Sequence, residues 1–440
     1  VLRASLDASV AEGAVAEVFG ACAGGAVLTG WALYFGATPI VIGLLGALPY
    51  AAQIVQLPAA WLTQRVGAKP LAVVALGAAR LAWLPLIAVP FLALPQTTGL
   101  AIFIAVVAIA GLFGVVGNNA WTAWMGDLIP SQIRGRFFAR RMIYLNAAGT
   151  LSSLAAGVAL DAATPRGVKG ETLAALAAAA SVAGLASVRL LLAQHHVAPP
   201  RDDGAPEWRD AVRAVRDRRT RPLLAYLFAW SAAVGISAGF FSFHMLTNLH
   251  MAFTFVAAYT IIIAALRIAS APAWGRLVDT CGARPVLVVC SLGISAVPLL
   301  WLFVTPERWW PIAIEAVISG TLWGGHGIAA FDVMIGVSPR RGRPFYLAVF
   351  AAGAGVGFAV SSILAGLLAA ALSAPLHDAG STWNEIHVLF LLSTVGRAGT
   401  AFFAARIAEP AARGVPDLAR ALLGTPARRT AKPSPASLSP

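Results

Sequence analysis

The side chains most able to do chemistry in this sequence are ionisable and amide groups set inside long apolar stretches: Glu17, Glu315, Asp332, His244, His326, Arg80 and Arg267. Charge in hydrocarbon is costly, so such groups mark pathways for ions and solutes by default. A carboxyl such as Glu17, about 15 Å into its apolar segment at 1.5 Å per residue, sits where it could load and release a proton; Glu12 lies only about half as deep. Eleven residues turn a helix through about 1100°, so Glu315 and His326 share one stripe, with Asp332 roughly 100° away. Gly320, Gly324, Gly325 and Gly327 around His326 leave room for a ligand or a neighbouring backbone, and a histidine satisfied by packing is the competing account. Asn118 and Thr122 stand four apart beside Trp121, pairing hydrogen-bonding groups with an aromatic wall. Phe240, His244 and Asn248 fall on another stripe, the phenylalanines there reading as an interfacial aromatic belt. Arg267 is a candidate partner for an anionic solute group, whereas nothing in the sequence accounts for Arg80. Arg189 and Arg397 read as anchors that reach the interface by snorkelling.

Other chemistries find no support. Cys22, Cys281 and Cys290 are too few and scattered for a disulfide framework or a zinc site. Neither H-E-x-x-H nor a P-loop occurs, so no enzyme is expected, and no cofactor or metal. The net charge of +13 would suggest a nucleic-acid partner in a soluble protein, but 29 of the 32 basic residues are Arg in an Ala-rich chain. That bias reads as GC-rich coding, and no nucleic acid is expected.

With 59% apolar and 12% charged residues, the solvent of this chain is lipid, because soluble domains carry roughly 25% charged residues. A helix needs about 20 apolar residues to cross roughly 30 Å of hydrocarbon. Twelve segments satisfy this: 6–35, 38–62, 70–93, 99–125, 141–163 and 172–193, then 222–248, 252–276, 285–304, 309–336, 345–371 and 383–405. Residues 1–35 carry Asp7, Glu12 and Glu17 and end without a small-residue processing site, so they read as a first span rather than a cleaved leader. The segment 195–221 contains Glu207 to Arg216, apolar at helical spacing, and reads as an amphipathic linker helix on the membrane surface. The tail 411–440, with five prolines, is expected to be disordered. The spacing of Gly20 and Gly24, and of Ala21 and Gly25, predicts close helix contact.

Cytoplasmic loops accumulate Lys and Arg. With both ends inside, 25 of the 32 basic residues fall on the cytoplasmic side, only Arg166, Lys169 and Arg308 outside, and four within spans. The expected location is therefore an inner membrane, multi-pass, with both termini cytoplasmic. Internal repetition divides the chain into bundles at 1–194 and 222–410. Ala60 to Pro70 matches Gly275 to Pro285 at an offset of 215; Asn119, Trp124 and Arg134-Gly135-Arg136 match His326, Phe331 and Arg341-Gly342-Arg343 at 207; Arg189 matches Arg397 at 208.

These repeated loops resemble the major facilitator superfamily, whose signature between spans 2 and 3 reads G-x-L-a-D-r-x-G-r-k and recurs between spans 8 and 9. The second copy fits through Gly275, Leu277, Asp279, Gly282 and Arg284; the first keeps Leu62, Arg65, Gly67 and Lys69 but has Ala60 and Gln64 in place of the glycine and the acid. The resemblance implies an all-α membrane protein of twelve helices in two pseudo-symmetric six-helix bundles, and a monomer in the bilayer. It implies a cytoplasmic latch, here Asp279 against the start of span 5 with Arg136, Arg140 or Arg141, separable as the halves move. It also implies that spans 1, 4, 7 and 10 line the cavity, which adds weight to Glu17, Asn118, Asn119, Trp121, His244, Asn248, Glu315, His326 and Asp332. The family breaks span 7 near its outer end, and Gly239 is compatible with that. The antiporter signature of span 5 is missing, since Gly149 to Gly157 holds no proline.

The leading expectation is a secondary transporter of a small organic solute, working by alternating access with protons as a candidate coupling ion. A neutral or zwitterionic amphiphilic substrate suits the few charges and several amides and aromatics. A non-transporting receptor or assembly factor on the same fold is the alternative.

Overall fold

The computed structural model describes residues 2–195, 208–339, 343–378, 383–407, 409, 412 and 414–422. Among the described residues it is all helical, with one isolated bridge between Thr305 and Arg308. Backbone N–H and C=O groups cannot be left unpaired in hydrocarbon, and helices satisfy them internally. Spans 1 to 6 run Leu2–Tyr34, Pro39–Val66, Ala68–Phe91, Gln96–Leu128, Arg136–Arg166 and Lys169–Ala193. Spans 7 to 9 run Arg221–Thr247, Phe253–Cys281 and Ala283–Phe303, and spans 11 and 12 Phe345–Leu376 and Glu385–Ala405. These eleven are long and apolar enough to cross a membrane. Span 10, Trp310–Val337, is a helix of 28 residues whose Glu315, His326, Asp332 and glycines dilute its hydropathy.

Several spans are interrupted where their residues require it. Span 1 breaks at Gly24, with Gly25 at φ +52°, a conformation costly for any residue with a Cβ. Gly20 and Gly25 face open space, so the predicted close helix contact does not form; these small residues wall a cavity instead. Span 2 carries Pro49, after which one turn tightens to a 3₁₀ helix over Ala52–Val55. Span 7 breaks between Gly235 and Phe240, where the family resemblance places a break.

Ser5, Trp124 and His195 meet at one end of the bundle, through bonds from His195 N to Ser5 Oγ (2.9 Å) and from Trp124 Nε1 to His195 O (3.1 Å). We call this end the terminal face. Toward the opposite face one apolar cluster runs continuously through both halves, from Trp31 and Phe103 to Phe240, Trp301 and Phe390. Toward the terminal face the core divides, one cluster around Leu76 and Trp124 and another around Tyr226, Trp274 and Phe350. Phe240 and Phe243 are core residues, not the aromatic belt expected from sequence, because span 7 faces span 12 there and Phe241 stacks on Phe390 at 4.7 Å.

The linker helix, Trp208–Arg216, docks Ala211 and Ala214 on the second half, leaving Val212 and Val215 exposed. Residues 196–207 of the linker lie outside the described residues. The tail departs from expectation: Val415–Leu422 is a helix, because Leu418 is buried against spans 8 and 9. The remainder of the tail, 423–440, lies outside the described residues.

Candidate functional site

The two halves meet along spans 2 and 11 and along spans 5 and 8. Toward the opposite face both seams are closed. Ser362 Oγ donates to Gly43 O at 2.8 Å, and Tyr50 stacks on Phe358 with ring centroids 3.5 Å apart. Asp161, near the end of span 5, accepts three hydrogen bonds from the start of span 8: Phe253 N at 2.7 Å, Thr254 N at 2.9 Å and Thr254 Oγ1 at 2.6 Å. A carboxylate against a helix N-terminus is favoured, and here it joins one half to the other.

On the terminal side spans 2, 4 and 11 enclose a cavity of about 610 Å³. Its polar lining includes Gln53, Gln56 and Gln64 from span 2 and Asn118, Asn119 and Thr122 from span 4. Thr122 Oγ1 turns back to Asn118 O at 2.8 Å, so its free lone pairs, rather than its proton, face the cavity. A second cavity of about 290 Å³ lies against the break in span 1, bounded by Glu17, Gly24, Gly149, Ser153 and Thr260. Glu17 is exposed to it and has no ion pair or hydrogen bond among the described residues.

Glu12, which its depth ranked below Glu17, is the hub of the first half. It is 3% exposed and receives Arg141 Nη2 on Oε2 at 3.1 Å and Ser187 Oγ on Oε1 at 2.8 Å, with Arg80 Nη2 3.6 Å away. This accounts for Arg80. Arg141 also covers the Trp121 ring at 4.5 Å, so Trp121 serves the ion cluster inside the half rather than walling a cavity.

The second half holds several buried polar contacts. Tyr259 donates to Glu315 Oε2 at 2.6 Å and Ser319 Oγ donates to Oε1. Arg397 is 2% exposed and bonds Ser237 Oγ at 2.8 Å, which overturns its reading as a snorkelling anchor: span 12 turns it inward, where Ser237 and the Ile294 carbonyl receive it. His326 shares a 2.7 Å bond with Tyr226, which meets Ser291 at 2.8 Å, and stacks on Trp230 at 4.5 Å. It is a packed group within the half, not a cavity group. Asp332, on its other stripe, is exposed near the terminal face. His244 is 1% exposed beside His387, Trp301 and Phe390, with neither ring nitrogen hydrogen-bonded among the described residues, and Asn248 accepts from Thr247 Oγ1 at 2.7 Å. Arg267 is exposed on span 8, its stem beside Gly324, without an ion pair among the described residues.

The sequence profile of the Major Facilitator Superfamily matches residues 14–269 and 240–435. The chain belongs to this superfamily of membrane transporters. Among curated proteins, it is similar to the class H tetracycline resistance protein of Pasteurella multocida, 32% identical over 107 residues. That match spans 24% of this chain and 26% of the relative, so about a quarter of the relative's length is covered. Among solved structures it is similar to a D-xylose-proton symporter (TM-score 0.70, 13% identity, 92% of this chain and 98% of that one). It is also similar to the nucleoside transporter NupG (0.63, 13%, 91% and 97%) and to the xylose transporter XylE from E. coli in an inward open conformation (0.65, 12%, 96% and 100%). At these identities the likeness shows the fold.

In this major facilitator chain the two copies of the signature loop carry the same backbone turn, Gly67 and Gly282 both at φ +96°. Lys69 of the first copy donates to the Leu192 and Gln194 carbonyls ending span 6. In the second copy the tie reverses sign: Glu409, beyond span 12, accepts from Ala283 N at 3.0 Å and Arg284 N at 2.6 Å. Gly275 has open space around it, and Asp279 is exposed without an ion pair among the described residues. Of the expected partners, Arg141 is on Glu12, Arg140 is on Asp7 at 3.3 Å, and Arg136 is exposed. No pairing of Asp279 with them is found among the described residues. Arg341 lies outside the described residues.

Sequence reasoning missed Glu12 as hub, Asp161, Tyr259, Glu409 and the Gln53–Gln56 pair. Asp161 had a readable signal, an acid ending span 5 opposite the predicted start of span 8. The others needed a partner distant in sequence.

Proposed function

We propose that this protein is a secondary transporter that carries a small organic solute across a bacterial inner membrane by alternating access. Residues 1–194 and 222–410 act as the two moving halves, a single copy sufficing in the bilayer. The observation that carries this reading is the one-sided interface: a core continuous through both halves toward one face, and a polar-lined cavity between them toward the other. The excess of Lys and Arg on the terminal face supports its being cytoplasmic, with both termini there, and the cavity then opens inward. Glu17, without an ion pair or hydrogen bond among the described residues and exposed beside its cavity, is the group we assign to proton exchange. Asp279 with Arg136 and Arg140 would form the latch of the opposite state, in which the terminal face closes.

Reconstituted protein should show saturable counterflow of its solute and should concentrate it when a pH gradient is imposed. Purified, folded protein that produces no counterflow with any member of a broad solute panel would instead support a receptor on the same fold.

A further inference from the structure

We propose, resting on the transporter reading, that the 610 Å³ cavity selects an uncharged solute carrying several hydroxyl or carbonyl groups, and that Gln53 and Gln56 of span 2 determine that selectivity together with Asn119. The backbone prepares the site. Pro49 ends regular hydrogen bonding in span 2, and the turn that follows is 3₁₀, in which positions i and i+3 eclipse. Gln53 and Gln56 are such a pair. Gln56 Nε2 donates to Gln53 Oε1, so the two amides form one surface instead of pointing apart. A mid-helix 3₁₀ turn of this kind often marks a functional position.

Across the cavity Asn118 and Asn119 face them from span 4, with Gln64 two turns further along span 2. The amides of Gln64, Asn118 and Asn119 have no side-chain hydrogen bond among the described residues. Each can offer two N–H donors and two acceptor lone pairs. Such a lining replaces, bond for bond, the water around hydroxyl and carbonyl groups of either hydrogen-bonding sense.

None of the described lining residues is charged. This absence separates a binding surface from a merely solvated vestibule. Elsewhere the terminal face carries many charges, and water would tolerate them here as well. A cation or anion entering would surrender hydration without a countercharge, which is costly, while a neutral polar solute would not. The volume falls within the range that holds small-molecule ligands.

The test uses the full-length protein in nanodiscs with uridine, D-xylose and sucrose as neutral probes, and tetraphenylphosphonium and benzoate as charged ones. At least one neutral probe should raise the melting temperature saturably, and neither charged probe should. Gln53→Leu and Asn119→Leu should each weaken that probe's binding at least tenfold, while Gln53→Asn retains most of it and all three variants melt within a few degrees of the parent without probe. The proposal is overturned if only a charged probe binds, if no neutral probe binds, or if binding survives both Leu variants. Counterflow in proteoliposomes separates the two readings. Saturable flux of a charged probe leaves the transporter reading standing and removes this one; neutral-probe binding without flux does the reverse.

Discussion

Glu12 and Glu17 stand five positions apart on one helix, a rotation of about 140°. That rotation turns Glu12 onto Arg80, Arg141 and Ser187 inside the first half and Glu17 toward a cavity. Removing one partner of a buried ion cluster leaves charge uncompensated, typically a loss of about 3–5 kcal/mol. Glu12→Gln should therefore lower the melting temperature sharply or abolish expression. Glu17→Gln should leave stability within about 0.5 kcal/mol, as for substitutions away from packed features. It should also remove the dependence of transport on an imposed pH gradient. Thermal melts beside flux measurements check both. Equal destabilisation by the two variants would contradict the division of roles.

At the scale of elements, the repeat is written in backbone geometry. Gly67 and Gly282 end spans 2 and 8 at the same positive φ, which no Cβ-bearing residue adopts without strain. Their surroundings differ. A Cβ on Gly67 would meet only Pro70 at 3.5 Å, an ordinary contact, whereas one on Gly282 would meet Ala412 at 2.8 Å in the segment that Glu409 holds over span 9. Gly67→Ala should cost about 1–3 kcal/mol from backbone strain alone. Gly282→Ala should cost more and should loosen the tail, seen as faster proteolysis after residue 407. Melts of equal depth for the two variants, with no change in cleavage, would sink the argument.

For the whole molecule, the contacts that differ between the two faces are the ones a conformational change must make and break. Asp161 contributes three charge-assisted bonds at the closed face. Their loss in Asp161→Ala should favour opening there by about 2 kcal/mol, a population shift of roughly 30-fold. The three native cysteines are buried, so an introduced Thr260→Cys, lining the Glu17 cavity, reports opening through an impermeant maleimide added on the side opposite the terminal face. Labelling should rise severalfold in the Asp161→Ala background. An unchanged rate would show that spans 2 and 11 hold that face closed without it.

Properties that depend on local chain were legible in the sequence. Span positions agree with the structure to within a few residues for most helices, because hydropathy over about 20 residues decides whether a segment can enter lipid. The paired glycines of the repeat were legible too, since a positive φ is demanded by the turn itself. The break after Gly24 was not, although both glycines were in view, because the same spacing serves close packing or an open cavity according to what stands opposite. Nor could depth along span 1 decide between Glu12 and Glu17. The rotation of a helix about its axis is set by its neighbours, and the partners of Glu12 lie on spans 3, 5 and 6. Arg397 was misplaced for the same reason, its hydrogen-bond acceptors coming from spans 7 and 9. That Asp279 has no ion pair among the described residues belongs to the tertiary structure alone, because a contact between two halves depends on how those halves are arranged.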